Sequence, residues 1–229
     1  MGSAVQKFLE IAGRFATYTL AQIFRAECLG CRRWSDRPIC RDCWSYREVV
    51  FVAGSRVQTV LAYREPWRSL MHRIKFQNHR ALLRHMEGFC RQSDLSHLPR
   101  DTRIVPVPMH ASTFRRRGFN PAEILAEQLS RAHGLPLDCD GLVKRHATQL
   151  QSLSTDEQRL INPKGVYRFR GRAPRSVLLV DDVVTTGATL AAAEEALVAA
   201  GAKEVYLWAL FRAERRKEGL GTNRGTVRL

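Results

Sequence analysis

Two hydrophobic rhythms organise this chain. From residue 49, "VVFVAGSRVQTVLAY" holds two apolar runs separated by Gly54 and Ser55, which predicts strand, turn, strand. "PWRSLMHRIKFQNHRALLRHMEGFCRQ" then spaces its apolar residues for helix around a central break, with Pro66 suited to a first helical turn. "RIVPVP" predicts a short buried strand stopped by Pro106 and Pro108. "NPAEILAEQLSRAHG" predicts a helix capped by Asn120, with Pro121 at its first position, Glu123 in its first turn and Gly134 just past its end. "GLVKR", "SVLLV" and "EVYLWALFRA" read as strands, and "ATLAAAEEALVAAGA" as a helix ending at Gly201. Strands alternating with helices predict an α/β fold with a mainly parallel sheet and helical crossovers.

Ahead of this pattern, Phe8, Ile11, Phe15 and Leu20 fall on one face of an amphipathic helix expected over residues 1–25. Lys7, Glu10 and Arg14 interrupt it, so it is not expected to span a bilayer, and it lacks the form of a signal peptide. The expectation is a cytoplasmic protein without stable membrane insertion. The final stretch, 215–229, has no periodicity and reads as a flexible basic tail.

Charge narrows the classes of partner. Lys and Arg number 37 against 22 acids in 229 residues, a formal net charge of +15. An excess of this size favours an anionic ligand such as nucleic acid, nucleotide or diphosphate. The 45% hydrophobic content is enough for a packed core and excludes global disorder.

Four of the six cysteines stand together in "CLGCRRWSDRPICRDC". Cys28, Cys31, Cys40 and Cys43 follow the spacing C-x2-C-x8-C-x2-C, in which two tight turns each offer a pair of thiolates to one tetrahedral Zn2+. Two disulfides are the alternative, but no secretion signal implies an oxidising compartment. A module over 26–48 with few large apolar residues fits folding driven by a structural metal. Cys90 and Cys139 read as bystander thiols.

"VLLVDDVVTTGATL", residues 177–190, carries the chemistry. A continuous apolar run is the mark of a central parallel strand, and Asp181 and Asp182 are expected at its carboxyl end, where open α/β sheets bind ligands. Thr185, Thr186, Gly187, Ala188 and Thr189 then join strand to helix. Amides at a helix N-terminus attract phosphate, and threonine hydroxyls add donors. Two adjacent carboxylates suit the vicinal hydroxyls of a sugar and can help orient a divalent metal. The combination describes a 5-phosphorylated ribose.

That combination resembles the phosphoribosyl-diphosphate (PRPP) motif of the phosphoribosyltransferase fold. The order of four cysteines, "HRIKF", "VPVPMH", "RRRGFNPAEILA", "RHATQLQSLSTDEQRLINPKGVY" and the acid-pair motif is similar to that of the ComF family. The likeness covers roughly residues 26–212. It implies a phosphoribosyltransferase-like domain over 49–214, with Asp181 and Asp182 as catalytic acids. It also implies PRPP or a related nucleotide bound with Mg2+ by residues 185–189, Arg115, Arg117 and Arg145, under a flap that includes Gln151, Arg159 and Asn162. The implied role is bacterial DNA uptake, with single-stranded DNA and the uptake machinery as partners. Lys75 is a further candidate for anion contact. Pro121 departs from the Gln usual after "RGFN". Thr185 stands where purine-salvage enzymes carry an acid, which argues against that activity. The reading leaves no room for the amide-hydrolysing domain of glutamine-dependent relatives. An active transferase with an unidentified nitrogen acceptor is the alternative function.

Overall fold

The computed structural model describes residues 26–45, 56–77, 79–145 and 165–213. The amphipathic segment 1–25, the first predicted strand at 49–53, the flap residues Gln151, Arg159 and Asn162, and the tail lie outside these. The chain divides into two compact units, Met1–Tyr46 and Arg47–Leu229.

The smaller unit is built around its cysteines. Strands β1 (Ala26–Glu27) and β2 (Trp34–Ser35) pair antiparallel, and helix α1 (Arg41–Ser45) follows. Between the strands the chain turns sharply: Arg32 N donates to the Cys28 carbonyl at 2.9 Å and Cys28 N to the Arg33 carbonyl at 2.8 Å. Arg32 holds a left-handed conformation, φ 64°, to complete this turn. That geometry costs a non-glycine residue about 1–2 kcal/mol.

The larger unit contains a four-stranded parallel sheet in the order β3 (Val57–Ala62), β8 (Glu204–Arg212), β7 (Ser176–Val184), β4 (Arg103–Pro106). Between β3 and β4 come α2 (Trp67–Phe76), a 3-10 segment (Arg80–Met86) and α3 (Glu87–Arg91). The helical pattern of residues 66–92 is therefore broken in the middle, as its spacing predicts. After β4 come α4 (Ala111–Arg117) and α5 (Pro121–His133), then β5 (Leu142–Lys144) and β6 (Tyr167–Phe169). Helix α6 (Ala188–Ala199) links β7 to β8.

Asn120 caps α5 as expected, its side-chain oxygen accepting from Ala122 N at 3.1 Å. Three sequence expectations need adjustment. "GLVKR" is a strand, but β5 pairs antiparallel with β6 in a separate two-stranded sheet rather than joining the parallel one. Gly141 at its start is required by packing, since a Cβ there would lie 2.5 Å from the Phe169 ring. The run "STFRRR", read only for its charge, is helical as α4, with His110 Nδ1 accepting from Ser112 N at its start. Finally, β7 does not end at the acids. Its pairing with β8 continues to Val184 opposite Arg212, because β8 is equally long and keeps offering ladder partners.

Both faces of the sheet are covered. Leu179, Leu207 and Ala209 pack with Leu190, Ala193 and Leu197 of α6 and with Tyr167 and Phe169 of β6. Trp208 alternates with Leu207 and Ala209 and so faces the other way. There its ring N–H donates to Ser93 Oγ at 3.1 Å, just beyond α3. Trp67 of α2 meets Phe89 of α3 edge-on at 5.5 Å between centroids. Gln128 of α5 donates to the Leu83 carbonyl at 2.8 Å, tying α5 to the 3-10 segment.

Candidate functional site

The site forms at the carboxyl end of the parallel sheet. Asp181 and Asp182 sit on the β7 ladder among buried residues. Alternation along a strand gives neighbouring side chains different partners. Asp182, 8% exposed, accepts an ion pair from Lys75 of α2, with Nζ to Oδ2 at 2.7 Å. Asp181 Oδ1 accepts from the Asp182 backbone N–H at 2.8 Å. Burial pushes the Asp181 carboxyl up to about 7, and the charge of Asp182 adds to this, against the opposing pull of the Asp182 amide and Lys75. Tyr167 of β6 is raised to about 12 by its burial and by Asp181, which brings the β5–β6 pair into the electrostatic range of the acids.

After the acids, Thr185 and Thr186 are exposed and Gly187 takes a left-handed conformation, φ 82°. Gly187 is the N-cap of α6, and Thr186 Oγ1 accepts from Ala188 N at 3.3 Å. Here glycine is needed for its φ rather than for space, because a Cβ would meet nothing within 4 Å. Amides in the first turn of a helix have no intrahelical acceptor and point outward along its axis. Ala188 and Thr189 lie exposed at this end. A loop of this form, two residues beyond a buried acid pair, can take a phosphate while the acids take hydroxyls.

The neighbouring segment is fixed to the same strand. Val107 N donates to the Val180 carbonyl at 2.8 Å, one residue before the acids, and Asn120 Nδ2 donates to the Val107 carbonyl at 3.0 Å. The prolines of "VPVP" thus flank a residue attached beside the site. Of the two candidate arginines among the three on α4, Arg115 is exposed, whereas Arg117 is partly buried and reaches α2, its Nε donating to the Lys75 carbonyl at 3.0 Å. Arg145 stands at the end of β5, where its backbone N–H donates to the Val166 carbonyl at 2.8 Å. Lys75 is the partner least evident in the sequence. A lone lysine in an amphipathic helix carries no signal of its own, and only the "IKF" likeness pointed to it.

In the smaller unit, the sulfurs of Cys28, Cys31, Cys40 and Cys43 lie within 4.8 Å of one another. Cys31 and Cys40 Sγ are 3.7 Å apart, far beyond a disulfide bond. A tetrahedron of about 2.3 Å Zn–S bonds has an edge of about 3.8 Å, so these cysteines can hold a metal. Backbone N–H groups of Cys40 and Cys43 donate to Cys28 and Cys40 Sγ at 3.2 and 3.4 Å. Burial raises the Cys31 thiol, but hydrogen bonds from Arg33 outweigh it and bring it down to about 6. All four donors are thiols, enough to fill a tetrahedral shell, so the set suits a structural metal.

Residues 113–222 match the phosphoribosyl transferase domain family. Competence protein F of Haemophilus influenzae is 37% identical over 209 residues, covering 81% of this chain and 90% of its own length. DNA utilization protein YhgH of Escherichia coli K12 is 32% identical over 164 residues, covering 69% of this chain and 72% of its own. Competence protein ComFC of Streptococcus pneumoniae is 25% identical over 197 residues, covering 85% and 84%. With a four-cysteine cluster followed by a parallel sheet that carries an acid pair and a helix-capping loop, the chain belongs to the ComF family and has a phosphoribosyltransferase fold.

Proposed function

We propose that the chain binds PRPP or a ribose 5-phosphate nucleotide with Mg2+ and acts in DNA uptake, handling single-stranded DNA. One observation carries the ligand half of this reading: a buried acid pair on β7 followed at once by the Gly187 turn into α6. The ribose diol donates to Asp181 and Asp182, and the 5-phosphate lies against residues 185–189. Hard oxygen donors are what Mg2+ prefers, and the two carboxylates supply them. Mg2+ arriving with a diphosphate would neutralise charge on the leaving group. Lys75 and Arg117 balance the carboxylates before the ligand arrives, and Tyr167 of β6 lies within electrostatic range of Asp181.

The DNA half rests on two supports. The first is family membership: the named relatives are a competence protein and a DNA utilization protein. The second is the basic surface, with Phe76 65% exposed beside the Arg117 guanidinium at 5.9 Å and the His72 ring at 4.9 Å. Exposed aromatics among cations stack on unpaired bases. Trp34 is also exposed, whereas Trp67 and Phe119 are core residues and cannot stack.

Calorimetric titration with PRPP and Mg2+, paired with a diphosphate-release assay, tests this reading. Binding without release across a panel of nitrogen acceptors is the expected result. Release with one acceptor would make the protein an active transferase. Absence of binding would overturn the site.

A further inference from the structure

We propose that Lys75 is a tethered counter-cation that serves the acid pair in both of its states. In the free protein its ammonium neutralises Asp182; when a phosphorylated ribose arrives it releases that carboxylate and pairs with the phosphate oxygens instead. The inference rests on the phosphoribosyl reading above and assigns that site a further residue.

Three observations carry it. The pair is tight and sheltered, 2.7 Å long with side chains only 20% and 12% exposed, unlike the exposed pairs that contribute little. The backbone beneath Lys75 is held from two sides. Leu70, Met71 and Ile74 of α2 are fully buried, and Arg117 donates to the Lys75 carbonyl from α4. Above that anchor a four-carbon stem leaves the ammonium free to reorient, which a guanidinium in a fork cannot do as easily. Charge balance supplies the reason for movement. Asp181 and Asp182 must accept from ribose hydroxyls, and an ammonium bonded to Asp182 competes for the same oxygens. The ligand's phosphates bring negative charge beside two carboxylates and need a cation there.

A purely structural ion pair and a relocating cation predict different responses. Lys75→Met keeps the stem and removes the charge. Mn2+ alone, titrated by electron paramagnetic resonance, is expected to bind this variant about tenfold more tightly than the wild type, since its competitor is gone. PRPP without divalent metal is expected to bind about tenfold more weakly, with Mg2+ restoring more of the loss than it adds to the wild type. The two affinities move in opposite directions. Lys75→Arg, which retains the charge, is expected to keep Mn2+ affinity at the wild-type level and serves as the second variant if Lys75→Met folds poorly. Unchanged or weaker Mn2+ binding by folded Lys75→Met, undiminished metal-free PRPP binding by the same variant, or tighter Mn2+ binding by Lys75→Arg overturns the proposal. Loss of PRPP binding by every variant and by the wild type instead overturns the phosphoribosyl reading, so the two failures are distinguishable.

Discussion

Arg117 is bound to the backbone of Lys75: its Nε donates to the Lys75 carbonyl at 3.0 Å, and its guanidinium lies 5.9 Å from the centre of the neighbouring Phe76 ring. An arginine that charge alone would aim at a ligand is instead joined to the end of α2. Arg117→Ala removes a hydrogen bond and a cation–π contact, together about 1–2 kcal/mol. Weaker PRPP binding should accompany the lower stability, because the Lys75 backbone loses its anchor. Lysine at 117 supplies charge without the planar donor and should not rescue either effect. Urea unfolding and PRPP titration check both; an Arg117→Ala protein unchanged in both would remove Arg117 from the site.

The Asp181 carboxyl, raised from 3.8 to about 7, makes stability depend on pH in a definite direction. Between those values the folded protein holds a proton that the unfolded chain has released. Stability therefore falls as pH rises through this window and levels off above about 7. Asp181→Asn should flatten that slope and raise the melting temperature at pH 8, while abolishing PRPP binding. In the wild type, PRPP affinity should rise with pH until the carboxyl is ionised. Melting curves from pH 5 to 9 decide it: an unchanged slope in Asp181→Asn would mean that this carboxyl is not the group that titrates.

Thiol reactivity separates the metal cluster from the remaining cysteines. Cys139 is exposed, though its thiol is raised to about 11, burial being the main cause, and should react slowly in the native protein. Cys90 is fully buried and should react only on unfolding. Chelation should expose the four cluster thiols together and unfold the smaller unit, since structural zinc contributes on the order of 10–16 kcal/mol. A thiol count that does not rise with chelator would argue against a bound metal.

For single-stranded DNA, Phe76→Ala should weaken binding by the equivalent of about 1–3 kcal/mol per stacked base. Salt should weaken wild-type binding steeply as counterions are released. Fluorescence anisotropy on an oligonucleotide over a salt series measures both. Identical affinity for Phe76→Ala would move the DNA surface elsewhere.

Much of this arrangement was legible because local rules and the tertiary fold agree. Asn120, Pro121 and Gly134 frame α5 through capping chemistry alone, and "SVLLV" marks a strand buried on both faces. Less legible were features decided at long range. The strand in "GLVKR" could be predicted, but not its partner, which lies beyond the twenty-odd residues that follow. The extension of β7 through Asp181 and Asp182 depends on the length of β8, a property of another segment. Lys75 and Asp182 are more than a hundred positions apart, and nothing in either local sequence specifies their meeting. Aromatics were similarly ambiguous: Phe76 and Phe119 both neighbour basic residues, yet only packing decides that one is exposed and the other buried.

Because β7 continues past the acids, paired with β8 at Asp181, Val183 and Val184, the carboxylates are mounted on the sheet itself rather than on a loop. The Asp181 amide, opposite Ala209 in the ladder, should exchange slowly with deuterium even in the absence of ligand, whereas the Asp182 amide, donated to the Asp181 side chain, should exchange faster. Ligand addition can therefore slow exchange little at Asp181; its protection should appear at 185–189 and near the end of α2. A site built this way keeps one surface immobile and leaves adaptation to a glycine turn and a lysine stem, so that changes of ligand specificity can evolve without disturbing the sheet.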